Sequence, residues 1–393
     1  MTDPAARAAR LYREAIVVDA HNDLPSRVLD DGYDPDVRHA AGFGPDSGHT
    51  DLPRLLESGV TAQFMAAWVD APYARRGAGA SFARALELID VVHAFVARHP
   101  GVLRLATTAA EVRRAKAEGR VAILIGVEGG HAIECSLDNL RELYRRGARY
   151  LTLTWNNGNE WAGSSIGVGG TRTGGLTPFG REVVREMNRL GMLVDLSHAS
   201  DATFDDAVAA SAEPVVATHS CARALNDHPR NLTDAQLRAV AGTGGVVGIN
   251  FYARFLDPAY LAAAPALDAA LARVRRDAEA RPGATASSVR AAVARARDEG
   301  AARIPPTPLS LLVDHVVHVA TVAGVDHVAL GSDFDGLSAL PEGMEDVTRL
   351  PRLADALLGR GLAADEVTKV LGGNFLRVME RVLDRGVGQG SRG

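Results

Sequence analysis

The sequence predicts a (β/α)8 barrel. Eight short β-prone runs alternate along the 393 residues with longer Ala/Leu/Arg-rich stretches of helical pattern. The runs are apolar almost throughout, as strands of a parallel sheet covered on both faces are. Most end in a histidine or an acid, and barrel enzymes collect their chemistry at the carboxyl ends of their strands. A doubly wound open sheet is the other fold that this alternation allows. Residues 1–393 read as one barrel domain, without linker, fixed-period repeat or low-complexity segment.

The opening stretch, MTDPAARAARLYREA, is polar and helical in pattern. Strand one follows as AIVVDAH (15–21) and runs on to Asp23. Strand residues alternate faces, so His21 and Asp23 are expected on the same side. Strand two is TAQFMAAWV (61–69), followed by a helix over 83–98. Strand three, VAILIGVEGG (121–130), carries Glu128. Strand four, YLTLTW (150–155), leads into SSIGVGGTRTGGLTPFG, which lacks the G-K-[ST] ending of a phosphate cradle. That segment reads as a mobile rim loop, and the helix after it starts at Thr177 or Pro178 and runs to 190. Strand five, MLVDLSH (192–198), ends in His198, and strand six, PVVATHS (214–220), carries His219. A helix over 233–241 precedes strand seven, GVVGINFY (245–252). Residues 253–307 break the alternation and predict a helical insertion packed over one rim, its many arginines solvated. A helix over 308–323, strand eight (HVALGSDFDG, 327–336) with Asp333 and Asp335, and a C-terminal helix complete the order.

The totals narrow the function. Net charge is −5 with no sustained basic run, which argues against a nucleic-acid partner. No signal-peptide core, apolar spanning run or anchor signal is present in the sequence. Cys135 and Cys221 are too few for a disulfide framework, so a cytoplasmic location is expected.

Imidazoles and carboxylates without thiolates suit Zn2+ in a hydrolytic site, with Mn2+ or Co2+ as substitutes. His21, Asp23, Glu128, His198 and His219 are more candidate ligands than one tetrahedral zinc takes, so two metals sharing a bridge fit better. The only lysines, Lys116 and Lys369, sit in helical stretches, which makes a carboxylated-lysine bridge improbable and leaves Glu128 in mid-ring. His315 and His318 are read as packing residues of a helix, Cys221 as a small packed residue, and His131 as a candidate supporting partner of the cluster.

Seven segments, VVDAHNDLP, HTDLPRLLESGVTAQF, IGVEGGHAI, RYLTLTW, GLTPFGREVVREMNRLGMLVDLSH, THSCARALNDHPRNL and GSDFDG, together resemble the zinc-dependent membrane (renal) dipeptidase family. The resemblance runs over roughly 15–252 and 308–380. It implies two zinc ions, one on His21 and Asp23, the other on His198 and His219, with Glu128 as bridge. It further implies Arg230 as clamp for a substrate carboxylate and Asp333 as holder of the substrate amine and proton donor to the leaving nitrogen. A hydroxide shared by the metals would hydrolyse dipeptides, D-residues at the carboxyl end included, and family members form homodimers. Asp335 is expected to be structural. One position departs from the pattern: where the family offers a histidine after YLTLT, this chain has Trp155. The histidine's role is not carried over, and Trp155 and Asn156 stand as pocket candidates. The rival readings are another binuclear barrel hydrolase acting on a lactone or N-acyl amino acid, and a non-catalytic peptide-binding relative.

Overall fold

A computed structural model describes residues 4–44, 46–167 and 174–389. Eight parallel strands form its centre: β1 (Val18–Asp19), β2 (Ala62–Trp68), β3 (Val121–Glu128), β4 (Ala148–Thr152), β5 (Leu193–Asp195), β6 (Val215–Ser220), β7 (Val246–Ile249) and β8 (Val328–Leu330). Each pairs with its neighbour in sequence, and β1 also pairs with β8, so the sheet closes on itself. The open doubly wound alternative is therefore excluded. A strand the sequence did not suggest, Leu103–Leu105, pairs with the start of β3 outside the ring.

Every strand contributes to the interior, through Val18, Phe64, Leu124, Tyr150, Leu193, Val216, Val246 and Ala329, with Ala62 and Ala122 adding a second residue from β2 and β3. Phe375, Leu376 and Met379 of the C-terminal helix (Asn374–Gln389) belong to the same cluster and plug the end where the strands begin. Phe64 packs on both Tyr150 and Phe375, with ring centroids 5.3 and 5.4 Å apart. A second, larger cluster joins the outer faces of the strands to the surrounding helices. Only the opposite end of the barrel is left for chemistry.

The helices begin where the sequence signals. Thr177 caps Pro178–Leu190 by accepting from the Gly180 N–H, and Gly191 ends that helix at φ 73°. Thr233 and Gln236 form a reciprocal cap on Asp234–Thr243. Residues 168–173 of the expected rim loop lie outside the described residues.

The insertion is helical, as expected. After Ala253–Leu256, helices Pro258–Glu279 and Ala286–Ala301 pack together as a hairpin. Its second helix reaches the β1 side of the rim, where Arg290 meets Asp31 at 3.3 Å and donates to the Asp30 carbonyl at 2.7 Å. Both lysines lie on outer elements: Lys116 Nζ donates to the Arg13 carbonyl, and Lys369 pairs with Asp326.

Candidate metal centre

Several strands end before the residues they present. β1 stops at Asp19, and the chain then passes an isolated bridge from Asn22 to Phe334 into a short helix, Leu24–Ser26. His21 and Asp23 therefore reach the mouth from a loop, not by strand alternation, yet they meet with Nε2 3.4 Å from Oδ2. Glu128 is the last residue of β3, and His219 lies within β6. His198 and Asp333 each stand three residues past a strand in left-handed backbone, at φ 67° and 61°. Such a conformation costs a residue with a side chain about 1–3 kcal/mol, and it concentrates at functional sites. Gly336 lets this crowding occur, because a Cβ there would lie 2.0 Å from Asp23 Oδ2.

Glu128 is the hub. Its Oε1 lies 2.9 Å from His198 Nε2 and 3.3 Å from His219 Nε2, and its Oε2 lies 3.6 Å from His21 Nε2. Asp333 Oδ1 is 4.0 Å from the same His21 nitrogen. Two overlapping groups, His21–Glu128–His219 and His21–Asp23–Asp333, each hold their ligand atoms within 4.8 Å of one another. One carboxylate thus lies between two sets of donors, all of them buried except Asp333, which is partly exposed.

The other nitrogen of each imidazole is occupied. His21 Nδ1 lies 2.9 Å from Tyr150 Oη, and His198 Nδ1 lies 2.9 Å from Asn156 Oδ1. His219 Nδ1 lies 2.9 Å from Thr218 Oγ1, whose own hydrogen goes to Asp195 Oδ2 at 2.7 Å. With an acceptor at each Nδ1–H, every Nε2 lone pair faces the cluster, the tautomer a metal requires. Asp19 braces the far side, accepting from Ser332 and Gln63.

The electrostatics fit divalent cations. Burial pulls His21 down, but Tyr150, Glu128 and Asp23 outweigh it and hold the imidazole well above its ordinary value. Burial, with His21, Asp23 and Glu128 nearby, leaves Asp333 well above the usual carboxylate range. Burial pushes His198 down to about 4, and His219 goes the same way. For Glu128, burial is overcome by His21 and His198, and the carboxylate stays ionised. His21 Nε2 and Asp23 Oδ1 are buried without a hydrogen-bond partner. Orphaned ligand atoms amid three crowded carboxylates are what a bound metal ion would satisfy.

Arg230, ten residues past β6, is buried over the Phe255 ring. It donates to the His219 carbonyl at 3.1 Å, leaves Nε unpartnered, and forms no ion pair among the described residues. Asn250 donates to Asp333 Oδ2 at 2.9 Å, which turns Oδ1 toward the cluster. Trp155 packs against Trp68 and lies 6.4 Å from the His198 ring. Asp335 is tied to His49 through both backbone N–H groups: His49 N donates to its carboxylate, and its own N donates to His49 Nδ1, each at 2.8 Å. His131 stands apart, 3.4 Å from Asn157 Nδ2. His315 and Cys221 are buried in packing roles, bonding to Leu256 and Asn250 carbonyls. Sequence reading missed Tyr150, Asn250 and Trp68, which carry no metal-ligand signature.

Residues 5–386 match the membrane dipeptidase family, peptidase family M19. The chain belongs to this family. It is thereby a metal-dependent dipeptidase, and solved structures agree. The dipeptidase AC, a metallopeptidase of family M19, is 30% identical; the match covers 94% of this chain and 99% of that one, with a TM-score of 0.74. A metallopeptidase from Rhodobacter sphaeroides, solved with a phosphinate mimic of the dipeptide L-Ala-D-Ala, is 29% identical over 94% and 100% of the two chains, with a TM-score of 0.73. The probable dipeptidase PvdM from Pseudomonas aeruginosa shares the fold at 24% identity, 97% and 99% coverage and a TM-score of 0.81. No helix among the described residues is long and apolar enough to cross a membrane.

Proposed function

We propose that this dipeptidase works with two divalent metal ions, zinc by ligand type, held by His21 and Asp23 on one side and His198 and His219 on the other, with Glu128 between them. When bound, the metals supply Lewis acidity and lower the pKa of water. Arg230 takes the substrate's free carboxylate. The single observation that carries this reading is that guanidinium, buried beside the donor cluster with no acid paired to it among the described residues. A buried cation without an anion is costly, and a bidentate carboxylate is its best complement. Asp333, held through Oδ2 by Asn250 and with its pKa raised chiefly by burial, holds the substrate's free amine and passes a proton to the leaving nitrogen. Asn156 orients His198, while the Trp155 indole N–H cannot exchange a proton as an imidazole would.

The substrate is a dipeptide with free termini. A D-residue at the carboxyl end is included, by analogy with the relative bound to the L-Ala-D-Ala mimic. Arg230 disfavours neutral lactones. The homodimer and the cytoplasmic location belong to the same reading, the first from the family resemblance and the second from two unpaired cysteines.

The test is a panel of L,L- and L,D-dipeptides assayed with zinc added and after chelation, beside Asp333→Asn. Turnover should require metal. The variant should keep its metal by elemental analysis while kcat falls about 10²–10⁴-fold. Turnover of a lactone or N-acyl amino acid with none of any dipeptide would refute the proposal.

A further inference from the structure

The donor cluster lies between two unlike walls. β2 and β3 are registered with Trp68 opposite Glu128 and, four residues earlier, Phe64 opposite Leu124. Registered neighbours face the same way. Phe64 and Leu124 both point into the barrel, so Trp68 stands over the mouth beside Glu128. Trp155, three residues past β4, packs edge-on against it, with centroids 5.0 Å apart and planes at 66°. Both indoles are half-buried, whereas the third tryptophan, Trp161, is in the core. Trp68 Nε1 has no hydrogen-bond partner, so packing alone fixes that ring.

Ring order sets what they face. β2 is four strands from β6, and β4 is four strands from β8. The indoles therefore look across the mouth at the walls that carry Arg230 and Asp333. A dipeptide held by its carboxylate and amine on those walls turns a side chain toward the indoles. Indole faces offer large, flat apolar area and favour edge-on or offset aromatic contacts. Position 155, where the family resemblance expects an ionisable imidazole, here adds to that area instead.

We propose that Trp68 and Trp155 form the side-chain subsite, and that it selects dipeptides with a bulky apolar or aromatic side chain over glycyl and charged ones. The proposal rests on the dipeptidase reading above. The experiment compares kcat/KM for Ala-X and X-Ala dipeptides, X being Gly, Glu, Leu or Phe. At the position that meets the indoles, wild type should prefer Phe or Leu over Gly by about tenfold or more. Trp68→Ala and Trp155→Ala should each erase most of that ratio, chiefly through KM, while Trp155→Phe keeps it within about threefold. Equal ratios in metal-loaded, folded Ala variants overturn the inference, as does a wild type indifferent to X. If an Ala variant fails to fold, wild type decides alone: phosphinate mimics bearing Phe and Gly should differ about tenfold in Ki, and equal values refute the subsite. A wild type that hydrolyses no dipeptide at all fails the underlying reading and this one together, a result distinct from lost selectivity.

Discussion

Tyr150 serves His21 as Asn156 serves His198 and Thr218 serves His219, by occupying the imidazole nitrogen that faces away from the cluster. Partners of this kind orient a ligand and raise its basicity, and their loss costs about 10–100-fold in metal affinity. Tyr150→Phe keeps the ring on Phe64 and removes only the oxygen. Its metal affinity, read by titration calorimetry, should fall by about that factor, and unchanged affinity would show that Tyr150 only packs. The ligand-type residues were legible because His, Asp and Glu are rare where apolar strands end. Tyr150 was not, since in RYLTLTW it reads as one more β-prone residue and its partner is 129 positions away. Trp155 was legible only as a departure from a pattern. Its neighbour Trp68 gave no signal, because a tryptophan ending a buried strand also suits a core.

At the level of elements, the alternation of apolar runs and helices was readable, and the lengths were not. The run AIVVDAH yields a strand of two residues, and HVALGSDFDG yields three. Beyond those points side chains replace the ladder: Asp19 Oδ1 accepts from the Ser332 N–H, and Asn22 Oδ1 from the Leu24 N–H. No local pattern announces the first of these, whose partners lie 313 positions apart. Leu103–Leu105 was missed because three residues, one of them an arginine, give too little periodicity. The C-terminal helix does more than cover a surface, since Phe375 touches Phe64, which touches Tyr150, which holds His21. Phe375→Ala should cost about 3–5 kcal/mol in denaturant unfolding, and a loss below about 1 kcal/mol would show that the plug repacks freely. Gly126 belongs to the same stack: a Cβ there would lie 1.9 Å from the Tyr150 ring.

Taken whole, the molecule buries several imidazoles in their neutral form. His49, His198, His228 and His315 are each pushed down to about 4, chiefly by burial. Unfolded, each takes a proton near pH 6.5; folded, each resists until about 4. Between those values the unfolded chain binds more protons, so stability of the metal-free protein must fall as pH drops. The slope reaches at most about 1.4 kcal/mol per pH unit for each imidazole. His21 and Asp333 work the other way, their contributions complete at low pH and lost as pH rises through their raised folded values, and they lessen the fall that the four imidazoles produce. Denaturant midpoints of metal-free protein should fall clearly from pH 7 to pH 5, and a flat profile would contradict this burial. The barrel's polarity has a practical side as well. Both lysine amines sit at the end where strands begin, and burial lowers the basicity of Lys116 while Asp326 raises that of Lys369. An attachment made through either lysine amine will therefore hold the protein by its base, with Lys116 the more nucleophilic of the two, and leave the catalytic opening turned to the solution.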